Sequence, residues 1–239
     1  MVIPVKWYTD SLLVRESGFS EMGIFTAALT FNNIILIVAG MLSGPFITMM
    51  AKNKNDDRNS SFSKFNILAP WAIGYFAVIP FILFPEFGSL LFGENYSGEV
   101  FNLTFVSILL FTVIIMFKQG LARLLVVHDL QWWGFLDNLI WSIILVSTFK
   151  FANNPNAIFL SVSYLVAYCL NTIIILPIYF KKKLVPSRTI ISFESLILWL
   201  LLFGASYIGI TSDNYMIKVF LLLFHFISSS LLFNRLRSS

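Results

Sequence analysis

Four charged residues in or beside apolar stretches are the candidates for chemistry in this sequence. Lys118 and Arg123 follow one apolar run and Asp137 lies within the next, while Arg15 stands near the N-terminus. Fixed cations of this kind could hold an anionic headgroup or a pyrophosphate, since Arg binds phosphate oxygens through parallel N–H groups. The simpler interpretation of Lys118 and Arg123 is that their stems stay in lipid while their charges reach the headgroup layer.

Asp137 is the acidic member of this set, and it stands beside Asn138 and close to three tryptophans. Ionisable side chains inside a membrane are costly and often functional. A carboxylate near the end of its span can also reach headgroup water, or pair with Lys118 or Arg123. Two interpretations of Asp137 therefore remain open, a structural ion pair and a role in transport.

Catalytic and metal-binding patterns are not found in the sequence. The two histidines and the single cysteine, Cys169, form no metal-ligand spacing, and neither paired carboxylates nor a Ser/His/Asp arrangement can be recognised. The sequence therefore predicts no catalytic residue, no metal and no cofactor. His225, in the middle of the last apolar run, is expected to be a neutral histidine hydrogen-bonded within the bundle, with a proton relay as the alternative.

The composition indicates a protein whose solvent is largely lipid. Apolar residues make up 58% of the 239 residues and charged residues 12%, with a mean hydropathy of +0.83. Soluble domains carry about 25% charged residues and about 45–50% apolar ones. The net charge of +4 comes from basic residues in short loops, which fits membrane orientation better than nucleic-acid binding.

Seven stretches approach the length of about 20 apolar residues that a helix needs to cross the hydrocarbon core. The polar loops between them are too small to cover so many apolar faces in water. We therefore predict an all-α, polytopic transmembrane helix bundle of about seven full spans, preceded by a partial N-terminal helix. The predicted spans are 23–51, 65–84, 100–117, 132–149, 157–180, 190–210 and 216–233.

Basic residues are concentrated in alternate loops of this topology. The loops after the first, third and fifth spans and the C-terminal tail hold most of the 16 Lys and Arg residues. The loop 85–99, on the opposite side, has no basic residue and three acids. Because cytoplasmic loops carry the excess of Lys and Arg, the C-terminus is predicted to be cytoplasmic and the segment before Gly23 to be outside.

The first 22 residues are half apolar but too short to span a membrane. They could form the second half of a transmembrane helix, or an interfacial helix with Trp7 and Tyr8 at headgroup level. The span that follows is longer than a bilayer needs. It carries Pro45 near its cytoplasmic end, where we expect a break in the backbone hydrogen bonds.

Two spans carry small and polar residues on one helical face. Such stripes either let helices approach closely or line a wet cavity, and close packing is the commoner use. We therefore expect both stripes to pack against other helices. Their members are Thr26, Thr30, Asn33, Gly40, Gly44 and Thr48 in the first span and Ser161, Tyr164, Tyr168 and Asn171 in the fifth.

Short motifs in the first half of the chain occur in a recognisable order. Trp7-Tyr-Thr-Asp-Ser-Leu-Leu-Val-Arg15 is followed by Glu21-Met-Gly-Ile-Phe-Thr-Ala-Ala28 and by Gly44-Pro-Phe-Ile-Thr-Met-Met-Ala-Lys52. Leu90-Leu-Phe-Gly-Glu-Asn-Tyr96 comes next, in a predicted outer loop. This order resembles the C-terminal half of bacterial polysaccharide or O-antigen flippases, members of the multidrug/oligosaccharidyl-lipid/polysaccharide exporter superfamily.

The resemblance implies one lobe of a two-lobed transporter whose substrate site lies between the lobes. It implies that a lipid-linked oligosaccharide crosses a bacterial inner membrane by alternating access. The expected partners are that lipid, the bilayer, and either a separate N-terminal lobe or other polysaccharide-assembly proteins, but no nucleic acid. The family's N-terminal lobe has no counterpart here, so we expect a truncated or partial transporter. Residues 1–22 would form the partial helix and outer turn, 23–180 a five-span bundle and 181–239 two additional spans.

The family's functional residues are chiefly cations in the central cavity, and Arg15 and Lys118 are the nearest candidates here. Arg123 and Asp137 complete the set of expected substrate-binding residues. Two other classes remain as alternatives: a membrane-embedded enzyme of envelope-glycan synthesis, such as a polymerase or acyltransferase, and a permease subunit. Such an enzyme should show a large outer loop or converging catalytic residues, whereas the longest predicted outer loop is 85–99.

The predicted orientation can be tested by labelling introduced cysteines with a membrane-impermeant thiol reagent. A Cys169→Ala background removes the native thiol. Because the loop 85–99 is predicted to be external, Ser97→Cys should react in intact cells. Asn55→Cys and Lys182→Cys should react only after lysis. Labelling of Asn55→Cys before lysis would reverse the orientation.

Overall fold

The chain folds into a bundle of helices. It is seen in a computed structural model that describes residues 2–52, 61–93, 96–151, 155–181 and 187–238. Within those residues, seven stretches are long and apolar enough to cross a membrane, which confirms the predicted all-α, multi-pass architecture. The labelling positions Asn55 and Lys182 lie outside the described residues. The helices are α1 (Val2–Met41), α2 (Ser43–Lys52), α3 (Ser61–Leu83), α4 (Phe87–Phe92), α5 (Glu99–Val127), α6 (Gln131–Lys150), α7 (Ala157–Lys181), α8 (Ser187–Ile190), α9 (Phe193–Thr211) and α10 (Tyr215–Ser238).

The third span differs most from its prediction. α5 continues to Val127, whereas the predicted span ended at residue 117. The prediction stopped there because a charged side chain is costly in hydrocarbon. The helix runs on because Lys118 and Arg123 both find hydrogen-bond partners inside the bundle. It is followed by a turn in which Asp129 adopts a φ of 58°.

α1 consists of two helical arms joined at Gly18. This residue has φ 87° and ψ 177°, a conformation open to glycine because it lacks a Cβ. On either side of the turn, Thr9 and Phe25 both contact Tyr164 of α7. The hydroxyl oxygens of Thr9 and Tyr164 lie 3.5 Å apart, and the ring centroids of Phe25 and Tyr164 lie 5.7 Å apart. The arms therefore fold back along α7, which favours a half-span over a helix lying in the membrane plane.

Polar contacts fix this turn to the start of α7. Oε2 of Glu21 accepts a hydrogen bond from the backbone N–H of Ala157, at 2.8 Å, and the Ser17 hydroxyl donates to the carbonyl of Pro155. The first N–H groups of a helix have no partner within it and carry partial positive charge, so a carboxylate there is stabilising. Glu21 thereby ties the second arm of α1 to the N-terminus of α7.

The first span breaks again just before Pro45. α1 ends at Met41 and α2 begins at Ser43, with Leu42 in a turn between them. Proline has no N–H, and its ring clashes with the carbonyl of the residue four positions earlier, here Met41. The predicted break near Pro45 is therefore confirmed, and this clash explains why it falls upstream of the proline.

α5 is the central helix of the bundle. It packs against α1, α2, α3, α6, α7 and α9, while α6 packs on α7 and α10 packs on both α3 and α9. Lys118 lies on α5 and Asp137 on α6. Because α7 packs against both of these helices, it helps to set their relative position.

α3 and α5 approach closely at Gly120. A Cβ added to Gly120 would lie 2.6 Å from the Cα of Ile67 and 2.7 Å from the carbonyl oxygen of Asn66. The Asn66 side chain joins the two helices at this point, because its Nδ2 donates to the Gly120 carbonyl at 2.8 Å. Small residues let membrane helices approach in this way, so Gly120 sets the distance between α3 and α5.

Gly120→Ala is expected to destabilise the protein even though alanine is the better helix former. In a helix the change by itself gains about 0.5–1 kcal/mol, whereas overpacking typically costs about 1–3 kcal/mol. Gly204 of α9 is the matched control, since an added Cβ there would meet nothing within 4 Å. Thermal unfolding in detergent should give a lower midpoint for Gly120→Ala alone. Equal midpoints for the two variants would contradict the tight contact.

Candidate functional site

Lys118 and Asp137 form an ion pair between α5 and α6. The Lys118 ammonium lies 2.7 Å from Oδ1 of Asp137, and the two side chains are only 14% and 16% exposed. The same ammonium donates to Oδ1 of Asn171 on α7. Lys118, and not Arg123, is therefore the cation that pairs with Asp137.

α7 completes the site with an amide and a phenol. Nδ2 of Asn171 donates to the backbone carbonyl of Asp137 at 2.9 Å, and the Tyr179 hydroxyl lies 3.5 Å from Oδ2 of Asp137. Asn171 is thus held from both ends of its amide. The side chains of Lys118, Asp137, Asn171 and Tyr179 are called the Lys118 network below.

Aromatic packing brings α6 and α7 to this register. Trp141 of α6 lies one turn after Asp137, and Tyr168 of α7 lies one turn before Asn171. The ring centroids of Trp141 and Tyr168 are 5.3 Å apart. Residues three or four positions apart share a helix face. The aromatic contact therefore places the faces that carry Asp137 and Asn171 against each other.

A cavity of about 200 Å³ adjoins the Lys118 network, and its lining includes Lys118, Gln119, Asp137, Asn138 and Tyr168. A lysine ammonium has three N–H donors, and Asp137 and Asn171 accept from Lys118. A further N–H is left for a ligand oxygen. Since the cavity holds charges of both signs, an anionic ligand would bind Lys118 in competition with Asp137.

Burial makes each charge of the pair dependent on the other. Removing an ion from water costs several kcal/mol, which attraction to a partner and additional hydrogen bonds offset. Asn171 and Tyr179 supply such hydrogen bonds here. An ion pair held at this cost within a membrane bundle is typical of a substrate or ion path.

Arg123 is 4% exposed and faces another part of the bundle. Its guanidinium donates to Oγ of Ser43 at 3.1 Å and to Oδ1 of Asn66 at 3.2 Å, and lies 5.2 Å from the centroid of the Phe46 ring. These partners belong to α2 and α3. Arg123 therefore joins both helices to α5 beside the break between α1 and α2, and its charge does not extend to a headgroup layer as the sequence led us to expect.

Arg15 lies apart from the other candidates. Its side chain is 81% exposed, with Nε 3.6 Å from Oε1 of Glu16. It precedes the Gly18 turn, at the end of the bundle where α7 begins. From Ala157 to Asn171, where α7 meets Lys118, is about 20 Å along the helix axis. Of the four predicted substrate-binding residues, the structure thus brings together Lys118 and Asp137.

The two small-and-polar stripes have opposite environments. Ser161, Tyr164 and Asn171 of the fifth span are buried, as close packing predicts. A Cβ added to Gly40 or Gly44 of the first span would meet nothing within 4 Å, so the expected packing is not made by the described residues. The exposed members of this first-span stripe, called the α1–α2 stripe, are Thr26, Thr30, Asn33, Gly40, Gly44 and Thr48.

Sequence reasoning did not place Asn171 or Tyr179 in the site. Asn171 carried a usable signal, because an amide on a buried stripe must find a hydrogen-bond partner. Tyr179 sits near a helix end among many other aromatic residues, and no feature of the sequence distinguishes it. Asn66, which binds Arg123, likewise carries no signal, since it lies at the start of its predicted span close to Ser63 and Lys64.

The sequence matches no protein-family model and no curated protein, and the fold matches no solved structure. The chemistry of the Lys118 network and the cavity beside it therefore carries the functional argument.

A double-mutant cycle tests the ion pair. Lys118→Met and Asp137→Leu should each destabilise the protein by about 3–5 kcal/mol, because each leaves a buried charge without its partner. The double variant should be more stable than either single one. Unfolding in detergent measures all four proteins, with Lys181→Met, at an exposed position on α7, as the control. Additive losses would show that the two charges do not interact.

Proposed function

We propose that this chain takes part in moving a lipid-linked oligosaccharide across a membrane by alternating access. The observation that carries the proposal is the Lys118 network, an ion pair within a multi-pass bundle beside a cavity of about 200 Å³. Intramembrane charges that line cavities commonly mark substrate paths. The order of motifs that resembles polysaccharide flippases supplies the substrate class, an anionic lipid pyrophosphate carrying a glycan.

Lys118 would exchange its contact with the Asp137 carboxylate for a contact with the pyrophosphate headgroup. In the described arrangement its ammonium is bound to Asp137 and Asn171. A pyrophosphate oxygen entering the cavity would first meet the remaining N–H and then compete with Asp137 for the charge. Loss of the ion pair would weaken the contact between α5 and α6. A ligand can shift a conformational equilibrium only through such a difference in contacts.

The α1–α2 stripe supports a path along the surface of this bundle. The hydroxyls of Thr30 and Thr48 donate to carbonyls of their own helix, whereas the amide of Asn33 is exposed. Hydrocarbon offers an exposed amide no hydrogen-bond partner, so water or protein must cover it. Two-lobed transporters place their substrate between lobes, and we propose that this stripe lines such a path against a second bundle.

Binding of farnesyl pyrophosphate to the purified chain tests the role of Lys118. Hydrogen bonds to charged groups contribute about 1.5–3 kcal/mol, and 1.4 kcal/mol is tenfold in affinity. Lys118→Gln should therefore weaken binding about tenfold or more. Asp137→Asn should tighten it, because the competing carboxylate is gone. Both variants break the same ion pair, so opposite effects on binding cannot come from destabilisation.

Farnesol, which lacks the phosphates, is the ligand control, and Lys181→Gln is the protein control. Equal affinity of the wild type and Lys118→Gln for farnesyl pyrophosphate would remove Lys118 from the site. Conversion of the probe into a new product would favour the alternative of a membrane-embedded enzyme.

A further inference from the structure

α3 and α10 pack side by side and run in opposite directions. The Ser229 hydroxyl donates to the hydroxyl oxygen of Tyr75 at 3.2 Å, and the ring centroids of Phe233 and Trp71 lie 5.2 Å apart. A later residue of α10 therefore meets an earlier residue of α3. The start of α3 and the end of α10 thus lie at the same end of the bundle, which the sequence predicts to be the cytoplasmic one.

A groove of about 210 Å³ lies between the two helices toward this end. Ala69 and Ala72, one turn apart on α3, and Phe233 of α10 form part of its apolar floor. The polar residues that line it are Asn234 and Arg237. Residues four positions apart share a helix face, so Phe233 and Arg237 lie on the side of α10 that borders the groove. This cavity is called the α3–α10 groove below.

Arg237 brings to the groove a positive charge that no carboxylate of the described residues balances. Its side chain is exposed, and no Asp or Glu in the described part of the chain lies within ion-pair distance of it. α3 and α10 contain no acidic residue, and α9, which packs on both, contains one, Glu194. Lys64 and Arg235 add positive charge at the same end. The groove therefore combines an apolar floor with a cationic mouth.

We propose that the α3–α10 groove binds one anionic phospholipid, with its headgroup phosphate on Arg237 and its acyl chains along the apolar floor. A guanidinium binds phosphate oxygens through two parallel N–H groups, and the amide of Asn234 supplies further donors. Basic pockets between membrane helices hold anionic headgroups in this way. The proposal is independent of the Lys118 network, none of whose residues lines the groove.

Arg235 separates a bound lipid from the general attraction of a basic helix end to an anionic bilayer. It has the same charge as Arg237 and is exposed on the same helix, but it does not line the groove. Two residues along a helix differ in direction by about 200°. General attraction would use both arginines alike, whereas a lipid seated in the groove uses Arg237.

Native mass spectrometry of the full chain in detergent measures this binding, with phosphatidylglycerol and phosphatidylcholine of the same acyl chains as probes. The wild type should bind phosphatidylglycerol more tightly. Because charged hydrogen bonds to the phosphate are lost, Arg237→Gln should weaken binding of phosphatidylglycerol about tenfold. Arg235→Gln should keep the wild-type affinity. Equal losses in the two variants, or equal affinity of the wild type for the two lipids, would overturn the proposal.

A second pair of variants tests the apolar floor while every charge stays in place. Ala72→Phe fills the groove and should weaken binding of phosphatidylglycerol, whereas Ala51→Phe, at an exposed position on α2, should not. Unchanged affinity of Ala72→Phe would mean that the lipid lies elsewhere. Glycerol phosphate, which has the phosphate but no acyl chains, should not displace the lipid. Displacement would identify a site for soluble phosphates and contradict the lipid site.

Discussion

Polar groups placed in hydrocarbon must find partners within the protein, and the central helix α5 carries several of them. Lys118 is satisfied by α6 and α7, and Arg123 by α2 and α3. Thr112 accepts a hydrogen bond from Asn32 of α1 at 2.7 Å. Each contact fixes one neighbour of α5 in rotation and depth. Apolar faces set which helices pack together, and these polar pairs select the register.

The two cations of α5, Lys118 and Arg123, differ in the groups that bind them. Lys118 has a carboxylate, Asp137, beside a cavity, so a competing anion has both a route to the charge and a partner to displace. Arg123 is bound by neutral oxygens of Ser43 and Asn66 on two other helices. Breaking those contacts would remove hydrogen bonds that join α2 and α3 to α5. One residue is therefore suited to exchange and the other to holding the bundle together.

The sequence predicts the spans well because lipid imposes a simple rule on length and apolar content. The break near Pro45 is predicted for a similarly local reason, the missing N–H and the clash of its ring. The site is predicted less completely. Asp137 could pair with either cation, and the packing of α5, α6 and α7 against one another decides between them. Such contacts join residues far apart in the chain, and no local pattern encodes them.

The two polar stripes show where a periodic pattern stops being informative. Helical spacing places Asn33 on one face of α1 and Asn171 on one face of α7, and both predictions of a shared face are sound. Asn171 is buried and bound to Lys118, whereas Asn33 is exposed. The helical spacing of the residues identifies the face that they share, but it does not say whether protein, lipid or water covers that face. What covers the face must be argued from chemistry: an exposed amide in a membrane needs water or a second protein surface, and a translocation path of the kind proposed would supply either.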